Sequence, residues 1–115
     1  MLTRLEILGS DDLNAEEVQV PEWGGLVRVR MLTAGERDKF ETDVAGIGGK
    51  SKNMTNLRAR LVVLTACDDA LAPLFEPGDV EALAKKSAAA VDRVFSVAAK
   101  LNGFTSSDIE ELEGE

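Results

Sequence analysis

The sequence predicts an α+β fold, mostly helical (four to five helices), with an N-terminal antiparallel β-hairpin packed on the helices. Three observations predict it. Glu17-Val18-Gln19-Val20 and Leu26-Val27-Arg28-Val29-Arg30-Met31 alternate apolar and polar side chains with the period of a strand. Between them stands a tight-turn cluster, Pro21-Glu22-Trp23-Gly24-Gly25. From Thr33 onward the apolar residues recur at three- and four-residue spacing, the period of helices with one buried face.

The 115 residues suit one domain, read as a globular body over 1–104, with 1–15 a loosely tied arm, and an acidic tail over 105–115. Acidic residues number 21 against 13 basic, a net charge of -8. That field repels phosphate backbones and anionic lipid, so neither nucleic acid nor membrane is expected as a partner. The longest apolar runs are too short to span a bilayer, and Arg4 and Glu6 interrupt any N-terminal signal sequence. One Cys without a second fits a reducing cytoplasm. With no His, imidazole general-base chemistry and Ser-His triads are excluded, and zinc and copper lack a ligand set. No catalytic residue, cofactor site or metal site is expected.

Each element has its own local reasons. Leu5, Ile7, Leu8 and Leu13 are isolated, and Gly9-Ser10-Asp11-Asp12 reads as a turn, so a loosely tied arm or a short edge strand is expected. In the hairpin Val18, Val20, Val27, Val29 and Met31 would share the buried face. Glu17, Gln19, Arg28 and Arg30 would share the outer one, where opposite charges pair across strands. Gly24 and Gly25 would supply positive φ for the turn. A lone hairpin is unstable, so it must lie on helices or join another sheet.

Thr33-Ala34-Gly35-Glu36 is a capping box, and Phe40, Val44 and Ile47 form a narrow apolar stripe on the charged helix that follows. Gly46 to Asn53 reads as a flexible basic loop. Asn56 to Cys67 is the most apolar segment. Leu61 to Thr65 would also suit a buried strand, but the unbroken run from Leu57 favours a central core helix. Leu74 and Phe75 are expected to plug the core from the Pro73–Pro77 connector, and Asp79 to cap the next helix. Val80 to Leu101 reads as one helix or as two broken near Ser87, with two favoured because Ser87 can cap a fresh helix. The buried face after Ser87 would carry Ala88, Val91, Val94, Phe95, Ala98 and Leu101, stopped at Asn102-Gly103. The tail carries five acidic residues and no basic one. Ser107 and Glu110 could cap a short helix bearing Ile109 and Leu112, though a free acidic tail reads more simply as frayed and solvated.

Apparent motifs read more simply. Gly49-Lys50-Ser51 resembles the end of a phosphate-binding loop, but Val44 stands where its first glycine is required and no strand precedes it. Asp68 and Asp69 are adjacent and would diverge on a helix. Arg28, Arg30, Arg58 and Arg60 read as salt-bridging surface rather than a nucleic-acid patch. Cys67 reads as buried packing. Trp23 is either a lid on the core or an exposed partner anchor, and a small domain favours the lid.

The order of features resembles a known family. Val20-Pro21-Glu22-Trp23-Gly24-Gly25, then Val27-x-Val29-Arg30, then Thr33-x-x-Glu36-Arg37-Asp38-x-Phe40 resembles the tail assembly chaperones of long-tailed (siphovirus-type) bacteriophages. So do Asn56-Leu57-Arg58-Ala59-Arg60-Leu61, the Leu74-Phe75, Asp79-Val80-x-x-Leu83 and Lys86-Ser87 run, and the helix ending at Leu101-Asn102-Gly103. The resemblance covers residues 16–112. It implies a non-enzymatic protein of the host cytoplasm, absent from the finished virion. Such proteins bind the helical, aggregation-prone tape measure protein, recruit tail tube subunits around it, and in many cases also exist in a longer form made by ribosomal frameshifting. The hairpin edges and the face beside Trp23 are expected to carry partner contact or homo-oligomer formation, because an uncovered edge invites strand addition. The candidate partner-binding residues are Trp23, Arg28, Arg30, Ile109 and Leu112. The competing reading is a small acidic adapter or regulatory domain that binds a protein through its tail.

Overall fold

The computed structural model describes residues 1–45 and 56–104. The order is α1 (Arg4–Leu8), β1 (Ala15–Val20), β2 (Gly25–Arg30), α2 (Ala34–Ala45), α3 (Leu57–Thr65), β3 (Ala66–Cys67), α4 (Val80–Ala84) and α5 (Ala88–Leu101). The fold is α+β, as expected. An antiparallel sheet ordered β1-β2-β3 packs on α5, and α3 packs on α5 from beside it.

The period-2 reading of the hairpin holds for its valines, whereas Met31, expected on the same face, is half-buried beyond the end of β2. Val18 faces Val27, Glu16 faces Val29, and Val20 faces Gly25. Val18, Val20 and Val29 are buried, and Val27 packs against the same core. Burying a side chain of this size stabilises by about 1.5–3 kcal/mol, so the valine face anchors the hairpin to α5. The turn differs from the expectation at one residue. Pro21–Trp23 make a single 3-10 turn, and the Gly24 N–H donates to Val20 O (3.0 Å) and Pro21 O (3.1 Å). Gly24 has φ +76°, but Gly25 does not share it, because Gly25 is already the first residue of β2.

α2 begins with the expected reciprocal cap. The Thr33 N–H donates to Glu36 Oε1 (2.9 Å) and the Glu36 N–H donates to Thr33 Oγ1 (3.1 Å). Phe40 and Val44 are buried along its stripe. α3 buries Leu57, Ala59, Leu61, Val62, Val63 and Thr65, which makes it the central helix. It stops at Thr65 rather than Cys67. Ala66 and Cys67 extend instead and add a third strand to β2, pairing Arg28 with Cys67 and Val29 with Ala66. Asp68 Oδ1 then accepts from the Ala70 and Ala72 N–H groups (2.8 and 3.0 Å), and Leu74 N–H returns to Ala66 O (3.0 Å). That bent connector sends Phe75 to the core and leaves Leu74 outside at 54% exposure, so only Phe75 plugs it.

Two further corrections concern helix starts. Asp79 does not cap α4. Its carboxylate accepts from the Glu76 N–H (2.9 Å) and closes a 3-10 turn over Pro77–Asp79. At the N-terminus, residues 4–8 form a short helix rather than an edge strand. Thr3 and Glu6 make a reciprocal cap there, with Thr3 N–H to Glu6 Oε1 at 2.8 Å, although no residue of the helix is buried. The separation of α4 from α5 follows the expectation, since Ser87 Oγ accepts from the Ala90 N–H (3.2 Å). Ile47, the loop over 46–53 with Gly49-Lys50-Ser51, and the tail with Ile109, Leu112 and the Ser107 cap lie outside the described residues.

Candidate interaction surface

The hairpin turn projects Trp23 (36% exposed) and Leu26 (62% exposed) from the end of β1 and β2. Trp23 is therefore no complete lid. Its turn is held from behind: Arg93 on α5 donates its Nε–H to Glu22 Oε1 and Oε2 (3.0 and 3.1 Å). The Glu22 carboxyl is held below the usual carboxylate range, first by its own backbone N–H and then by Arg93. An apolar tip on a pinned turn can be pressed against a partner with little loss of backbone freedom.

Arg28 lies on the outer face of β2. Its Nη2 donates to Glu17 Oε2 across the strands (2.9 Å) and to Asp69 Oδ1 (3.4 Å), so the expected cross-strand pair is present. Arg30, two residues on, has the same strand parity but not the same environment. It is only 7% exposed. Its Nη1 and Nη2 grip both Glu36 oxygens (2.9 and 3.0 Å) and also donate to Met31 O (3.0 Å) and Leu64 O (3.2 Å). Arg30 thereby ties β2 to the start of α2 and the end of α3, and the outer face of the sheet is covered at this end. Arg30 holds the Glu36 carboxyl down at about 2, with the Thr33 N–H contributing further. Burial pushes the neighbouring Cys67 thiol up, in keeping with a packing role.

Asn102 is a connection that sequence reading took only for a helix stop. Its Oδ1 accepts from the Leu32 N–H (2.6 Å), and its Nδ2 donates to Ala98 O (2.9 Å) and Arg30 O (3.4 Å). Arg37 donates to Asn102 O (2.6 Å) and covers the Phe104 ring at 4.4 Å, and Phe104 meets Phe40 edge-on at 6.1 Å. The end of α5 is thus latched to the β2–α2 junction. A local signal existed only in part: a helix-terminal Asn before Gly is a stop, and nothing nearby shows that its amide is buried.

A groove of about 520 Å³ runs between α2, α3 and the turn before α4. Phe40, Val44, Val63, Leu64 and Val80 give it apolar walls, and Lys39, Asp43 and Arg60 stand along it. Lys39 is paired with Asp43 at 3.0 Å. A second cleft, about 360 Å³, opens where α3 begins, beside Arg58 and Lys86. Arg58 is paired with Asp92 (3.0 Å). Of the five candidate contact residues, the structure leaves Trp23 and Arg28 at the surface of one hairpin, draws Arg30 inside, and does not describe Ile109 and Leu112. Among the described residues no cluster of three or more His, Cys, Asp or Glu could hold a metal ion, and no helix is long and apolar enough to cross a membrane.

The family model for the phage tail assembly chaperone matches residues 10–115, nearly the whole chain. The chain belongs to the phage tail assembly chaperone family. The fold agrees: the chaperone is similar to the solved structure of the bacteriophage HK97 tail assembly chaperone, with a TM-score of 0.58 at 21% identity over 89% of this chain and 96% of that one. No curated protein matches the sequence. The family match begins after α1, so the hairpin, α2 to α5 and the latch fall within it.

Proposed function

We propose that this tail assembly chaperone works without catalysis by binding the tape measure protein and helping tail tube subunits assemble around it. The observation that carries the reading is the family match across the whole hairpin-and-helix body. It would act in the host cytoplasm during infection and be absent from the mature virion. A tape measure protein is long, helical and apolar-striped, and a partner for it needs an apolar contact on a charged carrier. The net charge of -8 keeps a loaded complex apart from its neighbours.

The contact is assigned to the hairpin surface, where Trp23 and Leu26 supply apolar area and Arg28 a charge, with the edge of β1, unpaired among the described strands, open to strand addition by a partner or another copy. Ile109 and Leu112 extend it in the tail. Arg30 acts from behind, by fixing the β2–α2 corner. The test is co-expression with the tape measure protein encoded by the same phage. Trp23→Ala combined with Arg28→Glu should abolish co-purification while leaving the circular dichroism spectrum intact. Undiminished co-purification by that variant would overturn the siting. If the unaltered chaperone carried no tape measure protein at all, the function itself would be refuted.

A further inference from the structure

The register of the hairpin fixes which main-chain groups of β1 are used and which are not. Met31 N–H donates to Asn14 O (2.9 Å), and the pairing runs on from there with Glu16 opposite Val29, Val18 opposite Val27 and Val20 opposite Gly25. Bonded and non-bonded pairs alternate along an antiparallel ladder. Glu16, Val18 and Val20 therefore turn their main-chain groups toward β2, and Ala15, Glu17 and Gln19 turn theirs the other way. Among the described residues no strand lies on that side. A row of outward N–H and C=O groups at two-residue spacing is the template on which an extended chain adds.

The side chains beside that row select the chain. Glu16 and Glu17 are exposed and adjacent, so they flank the edge on opposite faces. Asp11 and Asp12 precede them, also exposed. Glu17 is answered by Arg28 at 2.9 Å, but β1 itself contains no basic residue. Toward the turn the edge carries no charge: Gln19 is outside, and Val18 and Val20 are buried in the core. An added strand must then bring basic side chains to the acidic end, and apolar ones to the face that continues Val18 and Val20. A second copy of β1 brings no lysine or arginine to Glu16 in any register. The tail, with five acidic residues and no base, is worse matched.

We propose that the edge of β1 takes a strand from another protein, an extended segment in which β-branched apolar and basic residues alternate. The proposal rests on the hairpin as the contact surface and names what its edge accepts. It does not depend on which tail protein supplies the segment.

Amide hydrogen exchange on the full chain tests it, with a synthetic peptide of alternating valine and lysine as the probe. Without peptide, the amides of Ala15, Glu17 and Gln19 should exchange faster than those of Glu16, Val18 and Val20. The lysine peptide should protect them, and the same peptide with glutamate for lysine should not. N-methyl groups on one alternate set of peptide residues should weaken binding at least roughly tenfold, and on the other set leave it unchanged, because only one set faces β1. Gln19→Pro removes an outward donor without touching the pairing to β2, and should weaken the peptide by a similar factor. Ala15→Pro replaces it if Gln19→Pro unfolds by circular dichroism. Glu16→Lys should abolish the preference for the lysine peptide. Unprotected edge amides, equal protection by the glutamate peptide, indifference to the methylated set, or full binding by a folded proline variant would each overturn the proposal. Tape measure protein still captured by a chaperone that fails these tests would sink strand addition alone. Protected amides without tape measure capture would sink the assigned function and leave the edge site standing.

Discussion

Glu36→Ala is the substitution whose cost follows most directly from the structure. It removes both acceptors of the Arg30 fork and the side-chain half of the α2 cap at once. Hydrogen bonds to charged groups contribute about 1.5–3 kcal/mol each, but Glu36 is partly exposed, so water recovers much of one. The Arg30 side chain, 9% exposed, keeps only its two carbonyl partners. Its Nε already has no partner. Loss of the Glu36 half of the cap, which leaves the Thr33 hydroxyl in place, adds roughly 0.5–1 kcal/mol. The expected total is about 3 kcal/mol by urea unfolding at neutral pH. For a chain of 115 residues that lowers the melting temperature by roughly 10–15 °C. The pH dependence carries the sign. Glu36 titrates near 4.5 when unfolded and about 2 when folded, so its contribution is present above 4.5 and disappears as the pH falls toward 2. The gap between the parent and Glu36→Gln should therefore narrow over that interval. A loss below about 0.5 kcal/mol for Glu36→Ala, or a gap independent of pH from 5 to 2, would refute the buried fork as a strut.

Two other substitutions probe corners of the same frame. Gly24→Ala forces a Cβ into the left-handed region and should cost about 1–2 kcal/mol, whereas Gly25→Ala, on a strand with open space around it, should change stability by less than about 0.5 kcal/mol; paired thermal melts check both. Asn102→Ala strands the Leu32 N–H and loosens the latch at the end of α5, and should cost about 2 kcal/mol in urea unfolding.

What the sequence made legible was what local pattern can carry. Alternation set the valines of the hairpin on one face, because a one-residue slip would turn all of them to water. Thr33 and Glu36 marked the start of α2, and Ser87 the break before α5. The same logic put Arg30 outside, because strand parity is local. Its burial depends on the Leu64 carbonyl, 34 residues away, and on the Glu36 carboxylate at the start of α2. β3 was invisible because two residues have no period, and the strand exists only where β2 offers an edge. α1 had a readable signal, Thr3-x-x-Glu6. No helical apolar period accompanies that signal, and among the described residues α1 buries none of its side chains. At the hairpin turn, Trp23 was recognisable as an unusual residue, but the bond that pins its turn, Arg93 to Glu22, spans 71 residues and has no local signal.

The central claim is that this chaperone holds the tape measure protein, and the soluble fraction of that protein measures it directly. Expressed alone and with the chaperone at equal levels, the tape measure protein should pass from the pellet into a soluble complex that elutes with the chaperone. An unchanged pellet and no co-elution would contradict the account.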